Sequence, residues 1–96
     1  ACDKFISERR RFRQELDSIP YLKVYESEAN YFLCEVKGSY SSHDLAVLLL
    51  KKYNILIKDC STKKVFNGRN YIRLAVRGRE DNQRLINALK AVQKYL

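Results

Sequence analysis

At 96 residues, 46% of them hydrophobic and with only three glycines and one proline, the chain has material for one domain with a modest core and is too rich in element-forming residues to be disordered. A net charge of +8 raises nucleic acid and acidic membrane surfaces as partners. A membrane span is excluded, because the longest apolar run, Leu45 to Leu50, is too short to cross a bilayer.

The first predicted helix runs from about Asp3 to Ser18 and stops before Pro20, which lacks the N–H to continue it. Phe5, Phe12, Leu16 and Ile19 recur at helical spacing, so Arg9, Arg10, Arg11 and Arg13 fall on the other side, interleaved with Glu8, Glu15 and Asp17. That pattern reads as a solvated or interdomain face rather than a nucleic-acid footprint. Leu22 and Val24 alternate with polar neighbours in a short strand, Glu26 to Ala29 make a polar turn, and Tyr31 to Val36 carry the strongest strand signal of the chain. Gly38 to Ser42 is a loop. A second helix begins near Ser41 or Ser42, with Asp44 completing an approximate capping box, Leu45, Leu48 and Leu49 as its apolar stripe, and Asn54 as its stop. Ile55-Leu56-Ile57 is expected as a compact buried strand, and Ser61 to Asn70 as a polar loop with a turn at Asn67-Gly68.

Tyr71 to Arg77 alternates again. Ile72, Leu74 and Val76 share one face; Tyr71, Arg73, Ala75 and Arg77 share the other. Those arginines can be the solvated side of a half-buried strand. They can equally be a rigidly held anion clamp, since a guanidinium fork meets a carboxylate or phosphate through two parallel bonds. The last helix follows, with Glu80 and Asp81 in its first turn, Leu85, Leu89, Val92 and Leu96 along its stripe and Lys94 near its end. The order α-β-β-α-β-β-α predicts an α+β sandwich over residues 1–96, a small, mainly antiparallel sheet with helices against one face. Cys2, Cys34, Cys60 and the lone His43 match no metal-ligand spacing. The cysteines read as reduced thiols of a cytoplasmic protein, Cys34 as a small buried hydrophobe.

Four segments in register carry a resemblance. They are Glu8-Arg9-Arg10-Arg11-Phe12-Arg13-Gln14-Glu15-Leu16, the run from Leu22 through Asn30-Tyr31-Phe32-Leu33, Ile55-Leu56-Ile57-Lys58-Asp59-Cys60-Ser61, and the Arg73 strand with its Glu80-Asp81-Asn82 helix. Together they resemble the C-terminal small domain of fold-type I pyridoxal-phosphate aminotransferases, in the branch of histidinol-phosphate aminotransferase and threonine-phosphate decarboxylase. The resemblance implies an excised piece of a longer cytoplasmic enzyme, itself a homodimer, that transaminates or decarboxylates an amino acid or amino phosphate. It implies that Arg73 holds the substrate carboxylate. Lys58 stands where a second arginine often contacts the distal anion, keeping the charge but losing the fork. Asn30 occupies a site usually filled by Asn before an aromatic residue, and an Asn there can also bond its own backbone. Arg77 stands where histidinol-phosphate enzymes commonly have glycine and the decarboxylase-like members arginine. The lysine, aspartate and phosphate cup that hold pyridoxal phosphate would lie in the large domain. This chain alone is therefore expected to bind no cofactor and to be catalytically silent.

A rival reading is a free-standing basic α+β module that binds RNA or protein through the open sheet face, using Tyr31, Tyr71 and the arginines. Against it, the sequence has neither an RNP1-type pattern nor a Gly-x-x-Gly loop between helices. Neither membrane nor nucleic acid is the expected partner.

Overall fold

The computed structural model describes residues 2–38, 40–61 and 69–96. Its elements are α1 (Cys2–Asp17), β1 (Leu22–Tyr25), β2 (Tyr31–Val36), α2 (Ser42–Tyr53), β3 (Lys58–Asp59), β4 (Tyr71–Ala75) and α3 (Arg79–Ala91), with a closing 3₁₀ turn at Val92–Tyr95. The four strands form one sheet in the order β1-β2-β4-β3, every neighbouring pair antiparallel. The expected α+β architecture is the one observed.

One buried cluster organises it. Phe12 and Leu16 of α1, Leu45 and Leu49 of α2, and Leu85, Ile86 and Leu89 of α3 meet Phe32, Cys34 and Val36 of β2 and Ile72 and Leu74 of β4. A strand alternates its side chains between faces, so those choices commit Tyr31, Leu33, Glu35, Arg73 and Ala75 to the opposite face. Removal from solvent pushes the Cys34 thiol up to about 12, which leaves it protonated and inert at neutral pH.

Local chemistry accounts for the ends of α2. Ser41 caps its start, its hydroxyl accepting from the Asp44 N–H at 3.3 Å. Asn54 ends it in the left-handed conformation, with φ 55°. The N–H of Ile55 reaches back to the Leu49 carbonyl at 3.1 Å, a Schellman-type closure.

Two expectations are corrected. Ile55-Leu56-Ile57 is not a strand: the ladder with β4 begins only at Lys58, and Leu56 is 81% exposed. An apolar triplet cannot be told by periodicity from an extended connector, and here Ile55 and Ile57 pack against the core from such a connector while Leu56 faces solvent. Phe5 is 40% exposed, because residues 3–7 stand clear of the cluster and the buried stripe of α1 starts at Phe12. The expected Asn67-Gly68 turn lies outside the described residues.

Candidate functional site

The antiparallel register of β2, β4 and β3 assembles the open face. Arg73 pairs with Leu33 on one side and with Lys58 on the other. Arg73, Lys58 and Asn30 all line one open cleft of about 720 Å³, together with Arg77. The sequence-predicted residues are thus gathered in one place, although Asn30 and Lys58 come from segments that are not hydrogen-bonded to each other.

Each is held differently. Arg73 is half-buried on β4, over the Tyr31 ring with its guanidinium carbon 4.0 Å from the ring centroid. Lys58 is exposed at the start of β3. Its neighbour Asp59 is tied down by Ser42 Oγ at 2.7 Å, Ser61 N–H at 2.9 Å and Ser61 Oγ at 3.0 Å. Burial pushes the Asp59 carboxyl up, but these donors and nearby His43 together bring it below its ordinary value. Asn30 uses its backbone carbonyl to accept from the Val76 N–H at 2.8 Å. Its side-chain amide makes no hydrogen bond among the described residues. The local backbone role that Asn30 could have played is not the one it adopts, and its amide stays available to the cleft.

Two contributors were not singled out from sequence. Asn82, 1% exposed in the first turn of α3, accepts from the Arg77 N–H and donates to the Arg77 carbonyl, both at 2.9 Å, and donates to Glu8 Oε2 at 2.8 Å. Its amide thus replaces the strand partner that the chain loses after β4 and fixes the backbone from which Arg77 projects. Glu8 is held below the usual carboxylate range chiefly by Arg11, which bonds it twice, at 2.9 and 2.8 Å; burial opposes this and Asn82 assists. Arg84 donates to the carbonyls of Tyr53 at 2.8 Å and Asn54 at 3.3 Å, holding the end of α2 against the cleft. A polar residue falling on the buried side of the α3 stripe was the available signal for Asn82; nothing local marked Arg84.

Three of the four arginines of α1 are engaged internally, while Arg10 stays exposed. Arg9 donates to the carbonyls of Ala29 and Glu28 at 3.1 and 3.2 Å, pairs with Glu26 and lies 4.2 Å over Phe32. Arg13 pairs with Asp17 and Glu26, and Arg11 reaches Glu8 and Gln83. Arg9, Arg11 and Arg13 therefore fasten the turn before Asn30 and the start of α3. By contrast, Arg73, Lys58 and Arg77 have no ion pair among the described residues. Among those residues, too, no three His, Cys, Asp or Glu side chains converge as metal ligands, and no helix is long and apolar enough to cross a membrane.

The Aminotransferase class I and II family model matches residues 2–89. A histidinol-phosphate aminotransferase of Methanococcus aeolicus is 41% identical over 71 residues, covering 74% of this chain and 19% of the relative. An L-serine phosphate decarboxylase of Campylobacter jejuni is 34% identical over 91 residues, covering 95% of this chain and 23% of the relative. Among solved structures, a decarboxylase from Sulfurospirillum multivorans superposes with a TM-score of 0.87 at 29% identity, over 96% of this chain and 23% of that one. The chain spans between 9% and 25% of the length of the curated relatives it matches. Matched along nearly its whole length by sequence and by fold, this chain belongs to the aminotransferase class I and II family.

Proposed function

We propose that this chain is the small domain of an enzyme that transaminates or decarboxylates an amino acid or amino phosphate, and that Arg73 clamps the substrate carboxylate. The observation that carries the reading is the β3–β4 register, which sets Lys58 directly opposite Arg73 with no carboxylate paired to either among the described residues. Like charges facing each other across a sheet repel, and an anionic ligand relieves that repulsion. The fork of Arg73 suits a planar carboxylate. Lys58, a compact point charge, suits a second, distal anion, and the Asn30 amide can donate to either. The names of the Methanococcus and Campylobacter relatives specify phosphate-bearing substrates, which agrees with a cleft where both Arg73 and Lys58 can meet an anion.

The family works with pyridoxal phosphate, which supplies an electron sink for chemistry at the amino-bearing carbon. The cleft offers cations and an amide, donors that match a substrate's anionic end. Lys58 is exposed at a strand end rather than enclosed as a cofactor-holding amine would be. The residues present therefore fit the substrate, and the cofactor belongs to a large domain of the same polypeptide, in a homodimeric cytoplasmic enzyme. Alone, the chain binds and orients but does not catalyse.

The test uses the polypeptide that joins this chain to its large domain. Arg73→Leu should lower kcat/KM for carboxylate-bearing substrates by an amount equivalent to roughly 2–5 kcal/mol, with the absorbance of the bound cofactor unchanged. Normal kinetics would place the clamp elsewhere.

A further inference from the structure

Arg73 has a choice of neighbours on the open face. Leu33 is its direct partner on β2, so the residues on its two diagonals are Tyr31 and Glu35, both on the same face. Diagonal neighbours are within reach of long side chains. The carboxylate is the stronger attraction for a guanidinium, yet Arg73 forms no ion pair with Glu35. Glu35 instead accepts from the Tyr25 hydroxyl at 3.1 Å. Arg73 turns the other way and lies over the Tyr31 ring, 4.0 Å from its centroid. Ala75, opposite Tyr31 in the register, is too small to compete for the space above that ring.

The distinction has chemical consequences. An ion pair with Glu35 would occupy the in-plane donors of the guanidinium. A ring face supplies no carboxylate oxygens, so the N–H fork keeps its capacity for an anionic ligand while the ring limits where the guanidinium can lie. Among the described cations of the cleft, Arg84 is tied to backbone carbonyls, and neither Lys58 nor Arg77 lies on a ring.

We propose that Tyr31 is a positioning residue for Arg73, its ring face setting the plane of the guanidinium so that the fork is presented to a carboxylate before the ligand arrives. The proposal rests on the reading of Arg73 as the clamp, and restriction before binding is what preorganises a site.

The experiment follows the Arg73 Nε–Hε group of the chain by nuclear magnetic resonance, with acetate as the carboxylate probe and acetamide as its neutral control. In the native chain the Arg73 Nε–Hε order parameter should exceed that of Arg77. Acetate, and not acetamide, should shift the Arg73 signal. Tyr31→Phe keeps the ring face and should preserve both the order parameter and the acetate affinity. Tyr31→Leu should release the group and weaken acetate about two- to fivefold, the size of an exposed cation–ring contact. If acetate binds Arg73 equally well with leucine at position 31, the positioning role is overturned and the clamp stands. If acetate leaves Arg73 unmoved in the native chain, the clamp reading falls and the positioning role with it. Should Tyr31→Leu fail to fold, native Arg73 as mobile as Arg77 overturns the proposal by itself.

Discussion

Asn82 shows how one side chain can organise a site without touching its ligand. Buried at the start of α3, it satisfies both backbone groups of Arg77 and one carboxylate oxygen of Glu8. Replacing it with alanine would leave those groups unpaired where water reaches them poorly, and an orphaned buried polar group costs about 1–3 kcal/mol. Asn82→Ala should therefore lower stability in chemical denaturation by about that amount. Asn82→Asp, which keeps the acceptor for the Arg77 N–H but loses both donors and places a charge beside Glu8, should do no better. A variant as stable as the native chain would mean that the bonds to Arg77 are dispensable. Cys34, equally buried, contributes shape alone, as its strand position implied.

Among the elements, α2 has the most explicit punctuation. Its first turn is capped by Ser41 and its last by Asn54 in the left-handed region. Ser41→Ala removes the side-chain acceptor and should cost about 1 kcal/mol, read as a lower denaturation midpoint. An unchanged midpoint would show that solvent satisfies the first amides of α2 as well as the hydroxyl does. Both caps were legible in the sequence, because capping depends on residues within one turn of each other. The short β3 was not. Its two residues, Lys58 and Asp59, are made a strand by β4 and by the Ser42–Asp59 bond, both distant in sequence, whereas the more strand-like Ile55-Leu56-Ile57 finds no edge to pair with.

For the molecule as a whole, acid sensitivity follows from two carboxylates that staple separate elements. Glu8 joins α1 to the start of α3, and Asp59 joins β3 to the start of α2. Both are held below their ordinary values in the folded state. A depressed folded-state value means the unfolded chain takes up protons first, so the stabilisation is complete above the ordinary carboxylate range near ~4. It is lost as pH falls through that range towards the folded-state values. Loss of negative charge from a chain already at +8 adds repulsion in the same direction. Denaturation midpoints should be flat from neutrality to about pH 5 and fall below it. The Glu8→Gln, Asp59→Asn double variant should be less stable at pH 7 and show a shallower fall. An equally steep fall in the double variant would assign the acid response to other groups.

What the sequence determined by itself was what depends on near neighbours: the alternation that puts Arg73 on the face away from Ile72 and Leu74, the helix stripes apart from Phe5, the caps, and the order of elements that makes an α+β sandwich. These are set by periodicity and by bonds spanning a few residues, and they hold in any packing that buries the apolar face. The tertiary structure decided what depends on register between strands remote in sequence. It set Lys58 opposite Arg73, turned Arg73 onto Tyr31 rather than Glu35, left the Asn30 amide without a partner among the described residues, and spent Arg9, Arg11 and Arg13 on internal carbonyls and carboxylates. A run of charges specifies attraction but not its object; only the folded chain brings each charge within reach of one partner and leaves another open to a ligand.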